Sequence, residues 1–325
     1  MLLFRFVRMR RYTALRTQDP CSVPQGPSTN MPAQSTSRRL PAWFKVRLST
    51  SERYSAVRSL VHERDLRTVC ESAACPNRNE CWNAGTATFL ILGDVCTRRC
   101  GFCNIPSGCP TEPDRGEPER IGGAVASLGL TYAVVTSVTR DDLPDGGAGH
   151  FAETIRAIRR TMPDCRTEVL IPDFQGSSSA LDAVLDASPD VLNHNIETVP
   201  SLYHRVRPQA DYGRSLQLLR RARDRGVVTK SGIMLGLGER GEEVQSALRD
   251  LRGAGCEIVT VGQYLQPSRE LLSVQRFYRP EEFRSLRLGA LGLGFRDVVA
   301  GPLVRSSYHA GAIQGTPAGG VKPSP

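Results

Sequence analysis

The sequence predicts an α/β fold, specifically a partial (β/α)6 TIM-type barrel, and three observations support this. Its 325 residues are 40% hydrophobic, enough for a sizeable core. Strand-like and helix-like runs alternate through residues 86–265, which indicates parallel strands joined by right-handed crossovers. A doubly wound sheet would also fit that alternation. Cysteines placed directly after the first strand favour the barrel, because barrel sites lie at the carboxyl ends of the strands.

The elements are placed by hydrophobic period and by turn residues between the runs. Strand-like runs occupy residues 86–93, 132–138, 167–172, 190–196, 228–235 and 257–265. Helix-like runs lie around 115–128, 147–161, 178–187, 213–225 and 241–253. Ahead of the barrel, residues 51–70 predict one amphipathic helix that runs to Cys70.

Residues 1–40 predict a disordered basic leader. Residues 1–50 carry nine Lys/Arg and one acidic residue, while the rest of the chain carries 33 basic and 32 acidic residues. An Arg-rich, acid-poor start is compatible with a mitochondrial or plastid transit peptide. The basic part is short and poor in serine, which favours a bacterial tail or a mis-assigned start with Met31 as the true first residue. We therefore expect a cytoplasmic protein.

The charge distribution also bears on partners. Nearly all of the net charge of +9 belongs to the leader, so the body offers no basic stripe for nucleic acid and we expect none to bind. No apolar run approaches the roughly 18–20 residues that a membrane-spanning helix needs. We therefore expect no transmembrane segment.

Six of the ten cysteines fall within residues 70–103, in two triplets. The first is C-x4-C-x5-C (Cys70, Cys75 and Cys81), and the second is C-x3-C-x2-C (Cys96, Cys100 and Cys103). Such clustering in a long chain without a secretory signal favours metal ligands over disulfides. The other four cysteines lack ligand spacing and are interpreted as bystanders in the tail or the core: Cys21, Cys109, Cys165 and Cys256.

The number of cysteines in each triplet indicates which kind of metal site is expected. Zinc sites usually pair two C-x2-C knuckles or add histidine, and neither triplet has such a fourth ligand at the usual spacing. A four-iron cube held by three cysteines leaves one iron for another ligand. Two such cubes, each with one open iron, are the hypothesis that the spacing favours.

The second triplet, directly after the first predicted strand, resembles the signature of the radical S-adenosylmethionine (SAM) superfamily. The stretch GIMLGLGE from Gly232 resembles the superfamily's GxIxGxxE segment. The resemblance implies a [4Fe–4S] cluster on the second triplet whose free iron chelates SAM, the source of a 5′-deoxyadenosyl radical. Candidate contacts to SAM are Thr136, Asn193, Glu197, Gly232 and Gly236.

Further segments resemble the lipoyl synthase family within that superfamily. They include CESAACPNRNECW, TSVTRDDLPDGGAGHF, HNIETVPSLYHRVRP, VGQYLQPS and GPLVRSSYHA, and they span about residues 42–310. The resemblance implies insertion of two sulfur atoms, at carbons 6 and 8 of an octanoyl group on a carrier-protein lysine. It also implies an auxiliary [4Fe–4S] cluster on Cys70, Cys75 and Cys81 that donates the sulfur, with Ser307 as its fourth ligand.

The same resemblance implies the partners. These are octanoylated carrier domains (the E2 subunits of 2-oxoacid dehydrogenases and the glycine cleavage H protein), a small electron donor such as ferredoxin or flavodoxin, and an iron–sulfur carrier that rebuilds the spent cluster. One segment departs from the family: RELLSV follows QPS where a His-Leu-Pro stretch is usual, with Leu271 and Ser273 in its place. The resemblance therefore implies no role for that loop.

Four segments follow from this reading: the leader 1–40, an extension with the first triplet at 41–85, the barrel at 86–295, and a closing segment at 296–325. Two other functions stay open on the sequence alone. One is a different radical SAM sulfur or methylthio transferase. The other is a zinc-stabilised scaffold without enzymatic activity.

Overall fold

The computed structural model describes residues 40–46, 51–84, 86–308 and 310–313. The predicted leader, including Cys21 and Met31, lies outside these ranges except for Leu40, and so do residues 314–325. None of the helices in the described ranges is long and apolar enough to cross a membrane.

One sheet of eight strands organises the described residues. Its strands are β1 (Arg67–Thr68), β2 (Thr88–Ile91), β3 (Tyr132–Ser137), β4 (Arg166–Leu170), β5 (Val191–Asn193), β6 (Val228–Leu235), β7 (Ile258–Gln263) and β8 (Asp297–Gly301). They lie side by side in chain order, from β1 to β8. The short β1 is antiparallel to β2, and every later neighbour is parallel. The sheet is therefore open, with β1 and β8 as its edges.

Helices connect the parallel strands. They are α1 (Glu52–Glu63), α2 (Val69–Ser72), α3 (Arg78–Asn83), α4 (Glu117–Ser127), α5 (Ala148–Thr161), α6 (Ser178–Asp186), α7 (Tyr203–Val206), α8 (Tyr212–Asp224), α9 (Gly241–Gly253), α10 (Pro280–Gly292) and α11 (Ala310–Ile313). The buried face of α5 shows why such a segment folds as a helix. In α5, Phe151, Ile155 and Ile158 recur at helical spacing and point into the core.

The predicted fold is confirmed. All six predicted strands are present as β2 to β7, and the five predicted barrel helices are α4, α5, α6, α8 and α9. Strand order that follows the chain excludes the doubly wound alternative, in which the order reverses at a switch point. The structure adds β8, a seventh parallel strand, and α10 before it.

The helix predicted for residues 51–70 is wrong in length. Helix α1 ends at Glu63, and Asp65 has a left-handed backbone with φ of 47°. This reversal lets Arg67 and Thr68 pair with β2 as the edge strand β1 before the short helix α2 begins. Cys70 therefore lies in α2, at the edge of the sheet, rather than at the end of a long helix.

Side chains on the inner face of the sheet show that it curves into a barrel. Lys230 on β6 donates hydrogen bonds of 2.9 and 3.1 Å to both carboxylate oxygens of Glu168 on β4, across the intervening β5. Both side chains are 1% exposed. The carboxylate also accepts from Tyr132 Oη at 2.7 Å and from Asn193 Nδ2 at 3.0 Å. Burial of this polar network on the inner face agrees with a sheet that curves around it.

The outer face of the sheet carries the apolar core beneath the helices. Cys165 and Cys256 are buried there, as the sequence predicts for two cysteines outside the triplets. Cys256 donates its thiol hydrogen to the carbonyl of Ile258. These two thiols belong to the packing of the fold and lie apart from the site.

Candidate active site

The second triplet lies in the loop that follows β2, and main-chain hydrogen bonds hold that loop against the neighbouring segments. The amide of Cys96 donates to Pro106 O at 2.8 Å, that of Thr97 to Thr139 O at 3.0 Å, and that of Gly101 to Val206 O at 2.9 Å. The sulfur of Cys96 accepts from the amide of Thr139 at 3.3 Å. The loop is thereby held at the carboxyl end of the barrel, where the sequence places it.

A buried arginine inside the loop clamps it to two further strands. Arg98 donates to Asp141 through Nε at 2.6 Å and Nη2 at 2.9 Å, and its Nη2 also reaches Asp173 at 2.6 Å. Asp141 follows β3 and Asp173 follows β4. Burial acts to raise the pKa of Asp173, but the hydrogen bond and charge of Arg98 outweigh it and hold that pKa at about 2. The Asp173 carboxylate of the clamp is therefore ionised at neutral pH.

The three thiols of this triplet are partly buried. Burial raises the pKa of Cys100 to about 12 and that of Cys103 to about 11. Phe102 packs beside them against Val206 and Leu237. Thiols with such pKa values stay neutral unless a metal stabilises the thiolate, so this environment suits metal ligands better than free nucleophiles.

The residues predicted to contact SAM lie at the same end of the sheet, with mixed local roles. The hydroxyl of Thr136 in β3 donates a hydrogen bond to Leu170 O at 2.8 Å, so its hydrogen is already used within the sheet. Asn193 uses its amide nitrogen on Glu168, while its buried Oδ1 has no partner among the described residues. Glu197 follows β5 with φ of 64°, and burial raises the pKa of its carboxyl although Arg207 opposes this.

The two glycines in the same group are required by packing within the chain. A Cβ at Gly232 would come within 2.8 Å of the side-chain oxygens of Asn195 and Thr260. A Cβ at Gly236, where φ is 99°, would collide with Gln263 and with the carbonyl of Arg276. A contact of either glycine with SAM stays a prediction.

The first triplet and Ser307 line a single cavity of about 550 Å³. Cys70 comes from α2, Cys75 from the following turn, and Cys81 from α3. Ser307 lies in the segment between β8 and α11. The structure therefore brings together residues more than 200 positions apart, in the set that the sequence predicts.

Burial governs these thiols as well. It raises the pKa of Cys81 to about 12 and also raises the pKa of Cys70, and the charge of Cys75 adds to both shifts. In the described ranges, no three His, Cys, Asp or Glu side chains converge on one ion as a zinc site would need. Thiols that share a cavity without converging on one point suit a cube, in which each binds its own iron.

Three contacts fix the C-terminal segment over this cavity. Asn77 Nδ2 donates to Leu303 O at 2.7 Å, and Tyr308 Oη is 3.0 Å from Glu80. Gly262 in β7 lets the chain pass closely, because a Cβ there would collide with the carbonyl of Val304. The segment that carries Ser307 thus packs against both the extension and the barrel.

The cavity and the second triplet occupy different ends of the barrel. Thr131 and Tyr132, at the amino end of β3, line the cavity, and so does Arg166 at the amino end of β4. The second triplet follows the carboxyl end of β2. The polar inner face of the sheet lies between the two groups of thiols.

Sequence reasoning missed the arginines of the site. Arg98 and its partner Asp173, together with Arg207 and Arg305, are functional candidates that no spacing rule identified. Arg98 lies between two cysteines of the second triplet, and Arg305 directly precedes the serine pair. Their closeness in sequence to the proposed ligands is the signal that could have identified them. The departing loop also proves relevant, since Leu272 packs on Gly101 and donates its amide to the Gly101 carbonyl at 2.9 Å.

Comparison with known proteins agrees with this geometry. The model of the radical SAM superfamily matches residues 90–251. A crystal structure of Streptococcus suis SuiB bound to SAM shares the fold with a TM-score of 0.52 at 12% identity, covering 69% of this chain and 54% of that one. The fold and the cysteine loop therefore define a radical SAM protein with a partial barrel.

Curated relatives narrow the class. Lipoyl synthase of Methylococcus capsulatus is 57% identical over 275 residues, covering 84% of this chain and 85% of the relative. Lipoyl synthase of Oleidesulfovibrio alaskensis is 54% identical over 272 residues, covering 84% and 94%. The chain belongs to the lipoyl synthase family.

Proposed function

We propose that the protein is the sulfurtransferase its family name describes, inserting two sulfur atoms at carbons 6 and 8 of a protein-bound N6-octanoyl-lysine. The observation that carries the proposal is the shared cavity of Cys70, Cys75, Cys81 and Ser307. A general radical SAM fold has no need of this second cavity. Its presence supports a sulfur-inserting function over other reactions of the superfamily.

Family membership brings SAM and one [4Fe–4S] cluster as cofactors. Cys96, Cys100 and Cys103 would hold that cluster, and together with SAM it would supply a primary carbon radical. Carbons 6 and 8 carry neither a leaving group nor an acidic hydrogen, so acid–base groups cannot activate them. Thr136, Asn193, Glu197, Gly232 and Gly236 remain proposed contacts to SAM.

A second [4Fe–4S] cluster is the finer part of the proposal. Cys70, Cys75 and Cys81 would be its ligands with Ser307 as the fourth, and it would supply the sulfur. The chain's own part is to bury these thiols and to cover them with the C-terminal segment. Serine oxygen is a harder ligand than thiolate and suits the iron of such a cluster less well. A weaker fourth bond would suit a cluster that has to be dismantled when it donates its sulfur.

The polypeptide's contribution is positioning and exclusion of water. Arg98 fixes the second triplet to the ends of β3 and β4. Phe102, next to Cys103 in the sequence, packs against Val206 and Leu237 and so adds apolar surface beside that thiol. Tyr132 forms a wall of the cavity, and its hydroxyl is held by Glu168.

The partners follow from the reaction. An octanoylated carrier protein is the substrate that the family implies. We further propose the E2 subunits and the glycine cleavage H protein as carriers, ferredoxin or flavodoxin as electron donor, and an iron–sulfur carrier for rebuilding the second cluster. Thiol ligands need a reducing compartment, which supports a cytoplasmic location.

The test compares Cys70→Ala with the matched control Cys165→Ala after anaerobic reconstitution. The wild type and the control should bind about eight irons per chain, and Cys70→Ala about four. Cys70→Ala should form 5′-deoxyadenosine but no lipoyl product from an octanoyl-lysyl peptide. Lipoyl product from Cys70→Ala would show that the first triplet does not hold the sulfur source.

A further inference from the structure

The inference concerns Arg305, the residue two positions before Ser307. Its side chain is partly buried and lines the cavity of the first triplet. Nη1 donates to two main-chain carbonyls, Val304 O at 2.8 Å and Gln263 O at 3.3 Å. The guanidinium is therefore held in a fixed place by the barrel and by its own segment.

Among the described residues, no carboxylate forms an ion pair with Arg305. Two other enclosed arginines of the barrel, Arg98 and Arg140, contrast with it, because each pairs with an aspartate. A charge removed from water without an opposite charge is costly. Its placement indicates that an anion belongs beside it.

The groups around Arg305 indicate where that anion would lie. The groups that interact with its charge are Cys75 of the first triplet and Glu197 at the other end of the barrel. Arg305 and Glu197 do not form an ion pair. Arg305 and Ser307 line the same cavity as the three first-triplet cysteines, so an anion held there would lie beside the guanidinium.

A parallel arrangement exists at the second triplet. Arg207 is buried, its Nη1 donates to Asn195 O at 2.7 Å, and it makes no ion pair among the described side chains. Its charge acts on Cys100 and on Glu197. Each triplet thus has one arginine held only by neutral oxygens, and Glu197 interacts with both.

We infer that Arg305 is the counter-ion of an anionic iron–sulfur group in the first-triplet cavity, and that its charge sets the electron affinity of that group. The inference rests on the proposed function, since it requires the second cluster. Three thiolates and a serine oxygen outweigh the positive charge of a four-iron core, so the assembled group is an anion. A fixed positive charge beside it favours the reduced form and raises its reduction potential.

The test isolates this group in the full-length chain by replacing Cys96, Cys100 and Cys103 with alanine. Arg305→Gln and Arg305→Lys are made in that background, with Arg249→Gln on the exposed face of α9 as control. Iron, acid-labile sulfide and the midpoint potential are measured after anaerobic reconstitution. We expect Arg305→Gln to shift the potential to a more negative value, and Arg305→Lys and Arg249→Gln to leave it near that of the parent.

The outcomes separate the two proposals. A parent that takes up no iron would overturn the second cluster and with it the proposed sulfur source. If the parent takes up iron and the Arg305→Gln variant has the same midpoint potential as the parent, only the role of Arg305 is overturned. Should Arg305→Gln bind no iron, retention of iron by Arg305→Lys supports the counter-ion, and equal loss in both variants contradicts it.

Discussion

The side-chain amide of Asn77 donates a 2.7 Å hydrogen bond to the carbonyl oxygen of Leu303, 226 residues further along the chain. Asn77 is buried, and it lies between the cysteines of the first triplet. Leu303 lies four residues before Ser307. This one contact therefore ties the cysteine-bearing extension to the segment that completes the cavity.

Asn77→Ala removes that donor and leaves a carbonyl unpaired. We expect it to lower the free energy of unfolding by about 1–3 kcal/mol, and to speed hydrogen exchange of the amides in residues 303–308. Tyr308→Phe removes only the more exposed contact with Glu80 and should have a smaller effect on both measurements. Unchanged exchange in Asn77→Ala would show that other contacts hold the segment.

Ser307→Ala tests the fourth ligand against its neighbour, with Ser306→Ala as the matched control. Ser307 lines the cavity with the three cysteines, so its loss should abolish lipoyl product. Formation of 5′-deoxyadenosine should continue, because the second triplet is unchanged. The same loss of product in Ser306→Ala would remove the basis for assigning the ligand to Ser307.

The Glu168–Lys230 pair inside the barrel gives a stability prediction. Both side chains are 1% exposed, so Lys230→Met or Glu168→Gln alone leaves one buried charge unpaired and should cost about 3–5 kcal/mol. The double variant should cost less than the sum of the two, because it leaves no lone charge. Denaturant unfolding of the four proteins measures the coupling, and additive losses would mean that the pair does not act as a unit.

His194 predicts a pH dependence of stability. Burial lowers its pKa to about 4 with help from the charge of Arg207, and the neutral ring bridges Ile171 O and Ser215 Oγ. The unfolded chain binds a proton below about pH 6.5 whereas the folded chain does not. Stability is therefore full above that pH and falls toward pH 4, by about 2 kcal/mol at pH 5.

The measurement compares wild type with His194→Gln by denaturant unfolding at pH 7.5 and pH 5. The glutamine side chain keeps hydrogen-bonding groups but does not titrate. The variant should lose less stability than the wild type on acidification. Equal losses in the two proteins would assign the acid sensitivity to other groups.

Much of the barrel could be predicted because its signals are local. Strand β6 was predicted with the bounds it has, since the strand-like run Val228–Leu235 is followed by a glycine with positive φ. The segment before Cys70 was predicted wrongly, because the turn at Asp65 and the pairing of β1 depend on contact with β2. Periodicity alone does not report such contacts.

The cysteine spacings and the RSSY stretch are in the sequence, and they determined the chemistry that this chain could support. Only the tertiary structure decided that Ser307 and the first triplet line one cavity, and that Arg305 enters it without a carboxylate partner. Ligand spacing is read along the chain, residue by residue. Burial and the pairing of charges are set by segments far apart in the chain, and they exist only once the barrel has brought those segments together.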